Sequence, residues 1–176
     1  MGKLVLGWQV AGSCEGERSY REHADVITHI SPCWYSMSRD GSIRRDENGA
    51  AGIIGLARAS GTAVVPLVAN EGFSPEVAHE ILLTARTRRL AAEAIASLVL
   101  ERGFDGINMD FEGAFIKGDR ERYTLLITEI VHLLKPHGKH VSVDAVAQTA
   151  PPRPDETGWA QAYDYPGLAA VADFLI

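Results

Sequence analysis

The chain has 176 residues, enough for one domain with a substantial core, and its 46% hydrophobic and 23% charged residues are typical of globular proteins. A formal net charge of −6 argues against binding a nucleic acid, because a phosphate backbone requires clustered lysine and arginine. The densest basic run, Arg-Thr-Arg-Arg at 86–89, lies within a predicted helix and is interpreted as a solvated helix face.

The cysteine content and the N-terminus carry little signal. Cys14 and Cys33 lack the spacing of metal ligands and are too few for a disulfide scaffold, so free thiols are expected. A single bridge between them is the alternative if the chain is exported. The first eight residues contain one cation and a short apolar run, which is neither a signal peptide nor a membrane span. The sequence predicts no membrane association and leaves the localisation open.

Short apolar runs alternate with helical patterns along the chain. The apolar runs predict strands at 3–10, within 24–35, and at 62–69, 104–112, 140–147 and 172–176. The helical patterns predict helices at 48–59, 75–102, 119–135 and 159–171. Ser74 before Pro75 is typical of a helix start, and Gly103 and Gly138 stand where helices should end.

This alternation predicts a parallel sheet covered by helices, either a doubly wound sheet or a (β/α)8 barrel. No glycine-rich phosphate loop follows the first strand. Polar and aromatic residues gather at the carboxyl ends of several predicted strands: Trp34, Tyr35, Asn70, Glu112 and Gln148. Both architectures bind ligands at that edge, but a spread over at least four strand ends favours the barrel.

The length of the chain limits how much of a barrel it can form. A (β/α)8 barrel needs about 250 residues, and this chain stops within the apolar run 173–176. The expected fold class is therefore α/β, a (β/α)8 TIM barrel present as its N-terminal part with five to six strands. Residues 1–176 are expected to be a single catalytic domain truncated at its C-terminus.

The predicted fourth strand carries an unusual polar face. Between residues 106 and 112, apolar side chains alternate with Asn108, Asp110 and Glu112. Acidic groups on one face repel each other and resist burial, so stability does not account for them. We interpret them as a catalytic acid with supporting groups.

The order of these groups along the strand suggests their roles. Glu112 is outermost, and Asp110 lies one layer deeper, close enough that the pKa of one carboxyl group should rise. A carboxyl group with a raised pKa can act as a general acid near neutral pH. Asn108 is expected to hydrogen-bond Asp110 without adding charge. Asp105 has the opposite parity and is expected to anchor backbone amides at the turn.

Two other interpretations of the acidic face are coincidence and a divalent metal site. The other strands end mainly in amides and aromatic residues, which suit sugar hydroxyls and sugar rings better than a metal ion. Asp144 on the fifth strand is an exception that lies deeper than Gln148. A sugar hydrolase is therefore favoured over a metal site. The predicted sugar-binding residues are Trp34, Tyr35, Asn70 and Gln148, with Trp8 left open between core packing and a sugar subsite.

The segment Asp-Gly-Ile-Asn-Met-Asp-Phe-Glu at 105–112 resembles the D-x-x-D-x-D-x-E signature of glycoside hydrolase family 18, the chitinase and N-acetylglucosaminidase family. The segment 31–35 followed by 40–43, and the segment 162–168 before 172–174, look like the spore-germination branch, which acts on peptidoglycan. The second Asp of the signature is Asn108 here, as is often so in that branch. The chain ends before the family's Met-x-Tyr-Asp element and the Trp of strand eight.

The resemblance implies a retaining, substrate-assisted mechanism. Glu112 would protonate the glycosidic oxygen and later act as base toward water. Asp110 would orient the substrate's 2-acetamido group, whose oxygen attacks the anomeric carbon, with Asn108 as uncharged support and Asp105 as structural anchor. The implied substrate is a polysaccharide containing N-acetylglucosamine, with peptidoglycan ahead of chitin.

The same resemblance implies that no metal or organic cofactor is needed and that the full-length protein is a monomer. Two alternatives to an active hydrolase remain open. One is a non-catalytic lectin on the same scaffold, although such proteins usually lose the acid at position 112. The other is a barrel fragment without independent function.

Overall fold

A computed structural model describes residues 3–46, 50–113, 116, 118–148 and 162–176. Its strands are β1 (Leu6–Val10), β2 (His29–Cys33), β3 (Tyr35–Met37), β4 (Ile43–Arg45), β5 (Ala63–Val64), β6 (Leu67–Asn70), β7 (Gly106–Asp110), β8 (His140–Val143) and β9 (Phe174–Leu175). Its helices are α1 (Cys14–His23), α2 (Ala50–Ser60), α3 (Pro75–Leu82), α4 (Ala85–Arg102), α5 (Asp119–Leu134) and α6 (Tyr165–Val171). Single 3-10 turns occupy Glu71–Phe73 and Lys135–His137.

The strands pair in the orders β1-β2-β5 and β4-β3-β6-β7-β8-β9. All pairs are parallel except the β3–β4 hairpin. Trp34 alone separates β2 from β3, and residues 65–66 separate β5 from β6. Apart from the hairpin, each strand therefore lies beside its neighbour in sequence, with helices in the connections. This is the wall of a (β/α)8 barrel, in the part that the sequence predicts.

The predicted helix 75–102 is two helices in the structure. α3 ends at Leu82, and Thr84 starts α4 by accepting a hydrogen bond from the Thr87 amide while the Thr87 side chain bonds back to the Thr84 amide. This is a capping box with Thr in place of the usual Glu or Gln, which is why the sequence pattern did not reveal it. α4 then ends as predicted at Gly103, whose φ of 63° lies in the left-handed region.

The first third of the chain holds the elements that the sequence did not predict. α1 follows Ser13, whose side chain accepts a hydrogen bond from the Gly16 amide, but its low apolar content hides it. β2 begins at His29, five residues after the start of the predicted segment 24–35. The β3–β4 hairpin was not predicted. Of the predicted helices 48–59 and 159–171, the first residues lie outside the described part of the chain.

The helices cover the sheet with a buried apolar core. Ile107, Met109 and Phe111 point from the fourth barrel strand into this core and are fully buried. One basic side chain joins the buried set: Arg88 is 8% exposed, donates to the Leu82 carbonyl at 2.8 Å, and lies 3.8 Å from the Glu129 carboxylate. The interpretation of 86–89 as a solvated face is therefore wrong at Arg88. Among the described helices, none is long and apolar enough to cross a membrane.

Asp105 lies at the opposite end of the strand from Glu112. Its Oδ2 accepts a hydrogen bond of 2.8 Å from the Val64 amide, and its own amide donates to the Val64 carbonyl at 2.9 Å. Asp105 thus joins the turn after α4 to β5, which is the anchoring role that its parity suggested. It is outside the set of carboxyl groups described below.

We expect Asp105→Ala to lower the free energy of unfolding by about 1 kcal/mol, because the Val64 amide loses its acceptor. Chemical denaturation of the complete protein measures this loss. Asp25→Ala, at an exposed turn position, is the control and should change stability by less than about 0.5 kcal/mol. Equal stabilities for the two variants would show that the Asp105 contact does not hold the turn.

Candidate active site

A cavity of about 480 Å³ opens beside the carboxyl ends of the barrel strands. Its lining consists of Trp8, Cys33, Leu67, Asp110, Glu112, Asp144, Ala145, Val146, Tyr163 and Ile176. Three of these residues are acidic, and no Lys, Arg or His is among the described residues that line it. The cavity is therefore a site where carboxyl groups converge.

The register between β7 and β8 brings two of the carboxyl groups together. Asn108 pairs with Ser142 and Met109 with Val143. The Asp144 amide then donates to the Met109 carbonyl at 2.9 Å, which continues the ladder by one residue. Asp110 and Asp144 therefore stand at the same level of adjacent parallel strands, which are spaced about 4.8 Å apart.

Asp110 carries a strongly perturbed carboxyl group. Burial raises its pKa to about 7, with further increases from the negative charges of Asp144 and Glu112 and from a hydrogen bond with the Glu112 side chain. Only 9% of Asp110 is exposed. This is the direction that the sequence predicts for one carboxyl group of the close pair.

Asn108 serves a different neighbour from the one predicted. It is fully buried, its Nδ2 donates to Asp144 Oδ2 at 2.9 Å, and its Oδ1 accepts from the Ser142 hydroxyl at 2.6 Å. The expected bond to Asp110 is thus replaced by bonds across to β8. Burial raises the pKa of Asp144 to about 6, against the lowering effect of hydrogen bonds from Asn108 and Trp8.

Asn70 holds the backbone of Glu112. Its Oδ1 accepts from the Glu112 amide at 2.8 Å, while its Nδ2 donates to the carbonyl oxygens of Glu112 at 3.1 Å and Ser74 at 3.0 Å. β6 ends at Asn70, so this side chain supplies the hydrogen bonds that the next rung of a strand pair would make. Asn70 is 1% exposed and is absent from the cavity lining, so its position favours a supporting role over the predicted sugar contact.

The predicted aromatic sugar platform is buried. Trp34 is 2% exposed and donates through Nε1 to Gln9 Oε1 at 2.9 Å. Tyr35 is 4% exposed and packs edge-on against Phe104 with ring centroids 6.2 Å apart. Neither ring lines the cavity, because both belong to the core behind β2 and β3. Gln148, in the segment after β8, is half-buried and also lies outside the lining.

Two other aromatic residues reach the cavity. Trp8 on β1 is 53% exposed, which contradicts core packing, and its side chain hydrogen-bonds Asp144. Tyr163 is buried, and its hydroxyl donates to the Phe111 carbonyl at 2.9 Å. Burial and the nearby Asp110 and Glu112 raise its pKa above the usual range for tyrosine. The sequence signal for Tyr163 was the 162–168 segment, which by itself assigned it no role.

The cysteines are free thiols, as expected. Cys33 faces the acidic groups, and burial together with Asp110 and Asp144 raises its pKa to about 11. The thiol is therefore protonated at neutral pH and is not an activated nucleophile. Within the described residues, no group of three or more His, Cys, Asp or Glu side chains is arranged to hold a metal ion.

A partial α/β barrel with carboxyl groups that converge at the carboxyl ends of its strands is typical of barrel enzymes, whose active sites lie at that edge. The model of glycosyl hydrolases family 18 matches residues 13–176. The chain belongs to this family, and the resemblance found in its fourth strand is confirmed.

Individual relatives are more distant. The chain is 28% identical over 156 residues to YdhD of Bacillus subtilis (strain 168), provisionally named as a sporulation-specific glycosylase, covering 88% of this chain and 36% of that protein. The fold matches a Chromobacterium violaceum chitinase with a TM-score of 0.87 and 20% identity, over 99% of this chain and 55% of the chitinase. It also matches the spore cortex-lytic enzyme SleL of Bacillus megaterium with a TM-score of 0.83 and 22% identity, over 97% and 40% of the two chains. The chain thus spans about a third to a half of these relatives, and the barrel fold is confirmed.

The raised pKa of Asp110 makes a prediction for stability. Its folded value of about 7 exceeds the ordinary 3.8, so its contribution to stability is full below pH 4 and is lost as the pH rises through 7. Asp110→Asn removes this penalty, so its stability relative to the native protein should rise from pH 4.5 to pH 8. Allowing for solvent screening, we expect a rise on the order of 1 to 3 kcal/mol.

Chemical denaturation of the complete protein at the two pH values measures the difference. Asp25→Asn at an exposed position is the matched control, and its stability difference should not depend on pH. A pH-independent difference for Asp110→Asn as well would contradict the perturbed ionisation of this group.

Proposed function

We propose that this chain carries the catalytic carboxyl groups of a glycoside hydrolase that cleaves polysaccharides containing N-acetylglucosamine. The observation that carries the proposal is the hydrogen-bonded pair of Asp110 and Glu112 in a cavity at the carboxyl edge of the barrel. Membership of family 18 supports it. Residues 1–176 are proposed to be part of a single catalytic domain.

The pair suits a retaining, substrate-assisted reaction. Asp110, whose pKa is raised to about 7, keeps one proton in its hydrogen bond with the Glu112 side chain up to about neutral pH. Glu112, the outer member, delivers that proton to the glycosidic oxygen as the bond to the leaving sugar breaks. The acetamido oxygen of the substrate attacks the anomeric carbon, and Asp110 as a carboxylate stabilises the positive charge of the resulting ring. Glu112 then takes a proton from the water that opens it.

The lining of the cavity suggests which residues assist the two carboxyl groups. Trp8 is exposed beside the carboxyl groups, where its indole face suits a sugar ring. Tyr163 lines the cavity near Asp110 and Glu112. We propose peptidoglycan ahead of chitin as the polymer, because YdhD is named for sporulation and SleL for lysis of the spore cortex. The chitinase match keeps chitin as the second substrate to test.

Glu112→Gln tests the assignment of the acid. The amide keeps the size of the side chain but cannot deliver a proton, so kcat on muropeptides or chitooligosaccharides should fall by roughly 100- to 10,000-fold. Glu101→Gln, an exposed position on α4, is the matched control and should keep its kcat. If Glu112→Gln turns over substrate as fast as the control, the proposal is wrong.

The same preparations separate a hydrolase from a lectin. Calorimetry measures binding of N-acetylglucosamine oligomers, and chromatography measures products over several days. Binding by the native protein with no product on either polymer would favour the lectin, although the retained acid at position 112 speaks for catalysis.

Asn70→Ala tests whether Asn70 supports the acid or binds the sugar. Loss of the side chain frees the backbone of Glu112, and displacement of the acid by about 1 Å should lower kcat roughly 10- to 100-fold with KM nearly unchanged. A sugar-binding role would instead raise KM and leave kcat in place. Amide hydrogen exchange at Glu112 adds a readout, since protection should fall only if the side chain holds that backbone.

A further inference from the structure

Asp144 is a third acidic group in the cavity, and the substrate-assisted scheme above gives it no role. It lines the same cavity as Asp110 and Glu112. The Nδ2 of buried Asn108 grips its Oδ2 at 2.9 Å, while its Oδ1 is buried without a hydrogen-bond partner among the described residues. Burying a carboxylate oxygen without a hydrogen-bond partner lowers the stability of the folded protein. We therefore expect a functional role for Asp144.

The backbone pairing places the carboxyl group of Asp144 next to Asp110, a member of the proposed catalytic pair. Asp144 stands beside Asp110 on the adjacent strand, because its amide continues the β7–β8 ladder. The orientation of Asn108 is set from the far side by the Ser142 hydroxyl, which donates to its Oδ1 at 2.6 Å. With its oxygen occupied in this way, the amide presents its N–H to Asp144. The carboxyl group therefore cannot turn away without losing that bond.

Other groups that face Asp144 do not neutralise it. They are Cys33 from β2, Asp110 and Glu112 at the end of β7, Tyr163 before α6, and the Trp8 side chain from β1. Each titratable member of this set is neutral or negative. Among the described residues, only hydrogen bonds balance the charge of Asp144, and this charge acts on Asp110 across a short, partly desolvated gap.

We propose that Asp144 is a positioning residue for the proton of the active site: its carboxylate, held by Asn108, keeps one proton on the Asp110–Glu112 pair up to neutral pH. This inference rests on the proposed function, since it concerns when Glu112 has a proton to donate. It also gives a role to the Asn108 amide, which holds the Asp144 carboxylate of the neighbouring strand in place.

Asp144→Asn is the direct test. It removes the charge but keeps an acceptor for Asn108, and it relieves a buried ionisation, so the protein should fold. Without the negative neighbour the pair loses its proton more easily. The alkaline limb of the kcat/KM profile should move to lower pH by on the order of one unit. Asp164→Asn, outside the cavity lining, is the matched control and should leave the limb in place.

A swapped pair distinguishes electrostatics from structure. The double variant Asn108→Asp/Asp144→Asn returns one carboxyl group and one amide to the same contact, with the charge now on β7. Position 108 is two residues before Asp110 on the same face, about 6.6 Å away along the strand. The alkaline limb should therefore move back toward its native position. A purely structural role for Asp144 predicts lower activity in both variants with the limb unmoved, and that result would overturn the proposal.

A second measurement does not need activity. Carbon-13 NMR of labelled Asp carboxyl groups in the substrate-free complete protein follows the titration of Asp110. Its apparent pKa should fall in Asp144→Asn and should not move in Asp164→Asn. An unmoved titration overturns the inference, even if the swapped pair fails to fold.

The two proposals can fail separately. If the native protein cleaves no polymer of N-acetylglucosamine but the titration moves as expected, then the proposed function is wrong and the role of Asp144 in holding the proton stands. If the native protein is active and the titration does not move, then the function stands and the role of Asp144 is wrong.

Discussion

The convergence of three carboxyl groups at the carboxyl ends of two adjacent strands is the constraint on which the site depends. Each of Asp110, Glu112 and Asp144 would be more stable in water than beside the others. The fold keeps them together because parallel pairing of β7 with β8 leaves no alternative level for Asp110 and Asp144. Within the part of the chain that the structure describes, the compensation comes from neutral donors, the side chains of Asn108 and Trp8.

The fourth strand of the barrel divides its work between its two ends and its two faces. At the amino end, Asp105 joins the strand to β5 through the Val64 amide. In the middle, Ile107 and Met109 are fully buried and fix the strand against the helices. At the carboxyl end, the opposite face presents the acidic groups. The position of the acidic groups therefore depends on how the rest of the strand packs. In such barrels the carboxyl end of a strand usually carries the functional groups, and the amino end contributes stability.

Much of this could be predicted from the sequence, because it depends on local periodicity. Two-residue alternation placed Asn108, Asp110 and Glu112 on one face, and helix-ending glycines such as Gly103 separated the strands. Features set by contacts between distant segments could not be predicted in this way. The partner of Asn108 depends on the β7–β8 register, and the role of Asn70 depends on where β6 ends beside β7.

The aromatic residues also show that contacts between distant segments could not be predicted from the sequence. Trp34 and Tyr35 stand at the end of a predicted strand, where an aromatic ring is equally suited to a ligand or to the core. The break between β2 and β3 turns Trp34 toward Gln9, and β3 directs Tyr35 toward Phe104. Trp8 has the same chemistry but lies on β1 beside the open cavity. Residue type therefore does not distinguish an aromatic residue in the core from one beside the cavity. The path of the backbone decides between them.

The amide at position 108 follows from the presence of Asp144. An acid at 108 would face Asp144 directly and place a fourth carboxyl group beside a cavity whose described lining holds no cation. An amide at the same place donates to Asp144 and accepts from Ser142, so each of its polar ends is satisfied. The number of charges near Asp110 is thereby kept to two neighbours, Glu112 and Asp144. That is enough to hold a proton near neutral pH, and a further charge would add to the cost of folding without a donor to offset it.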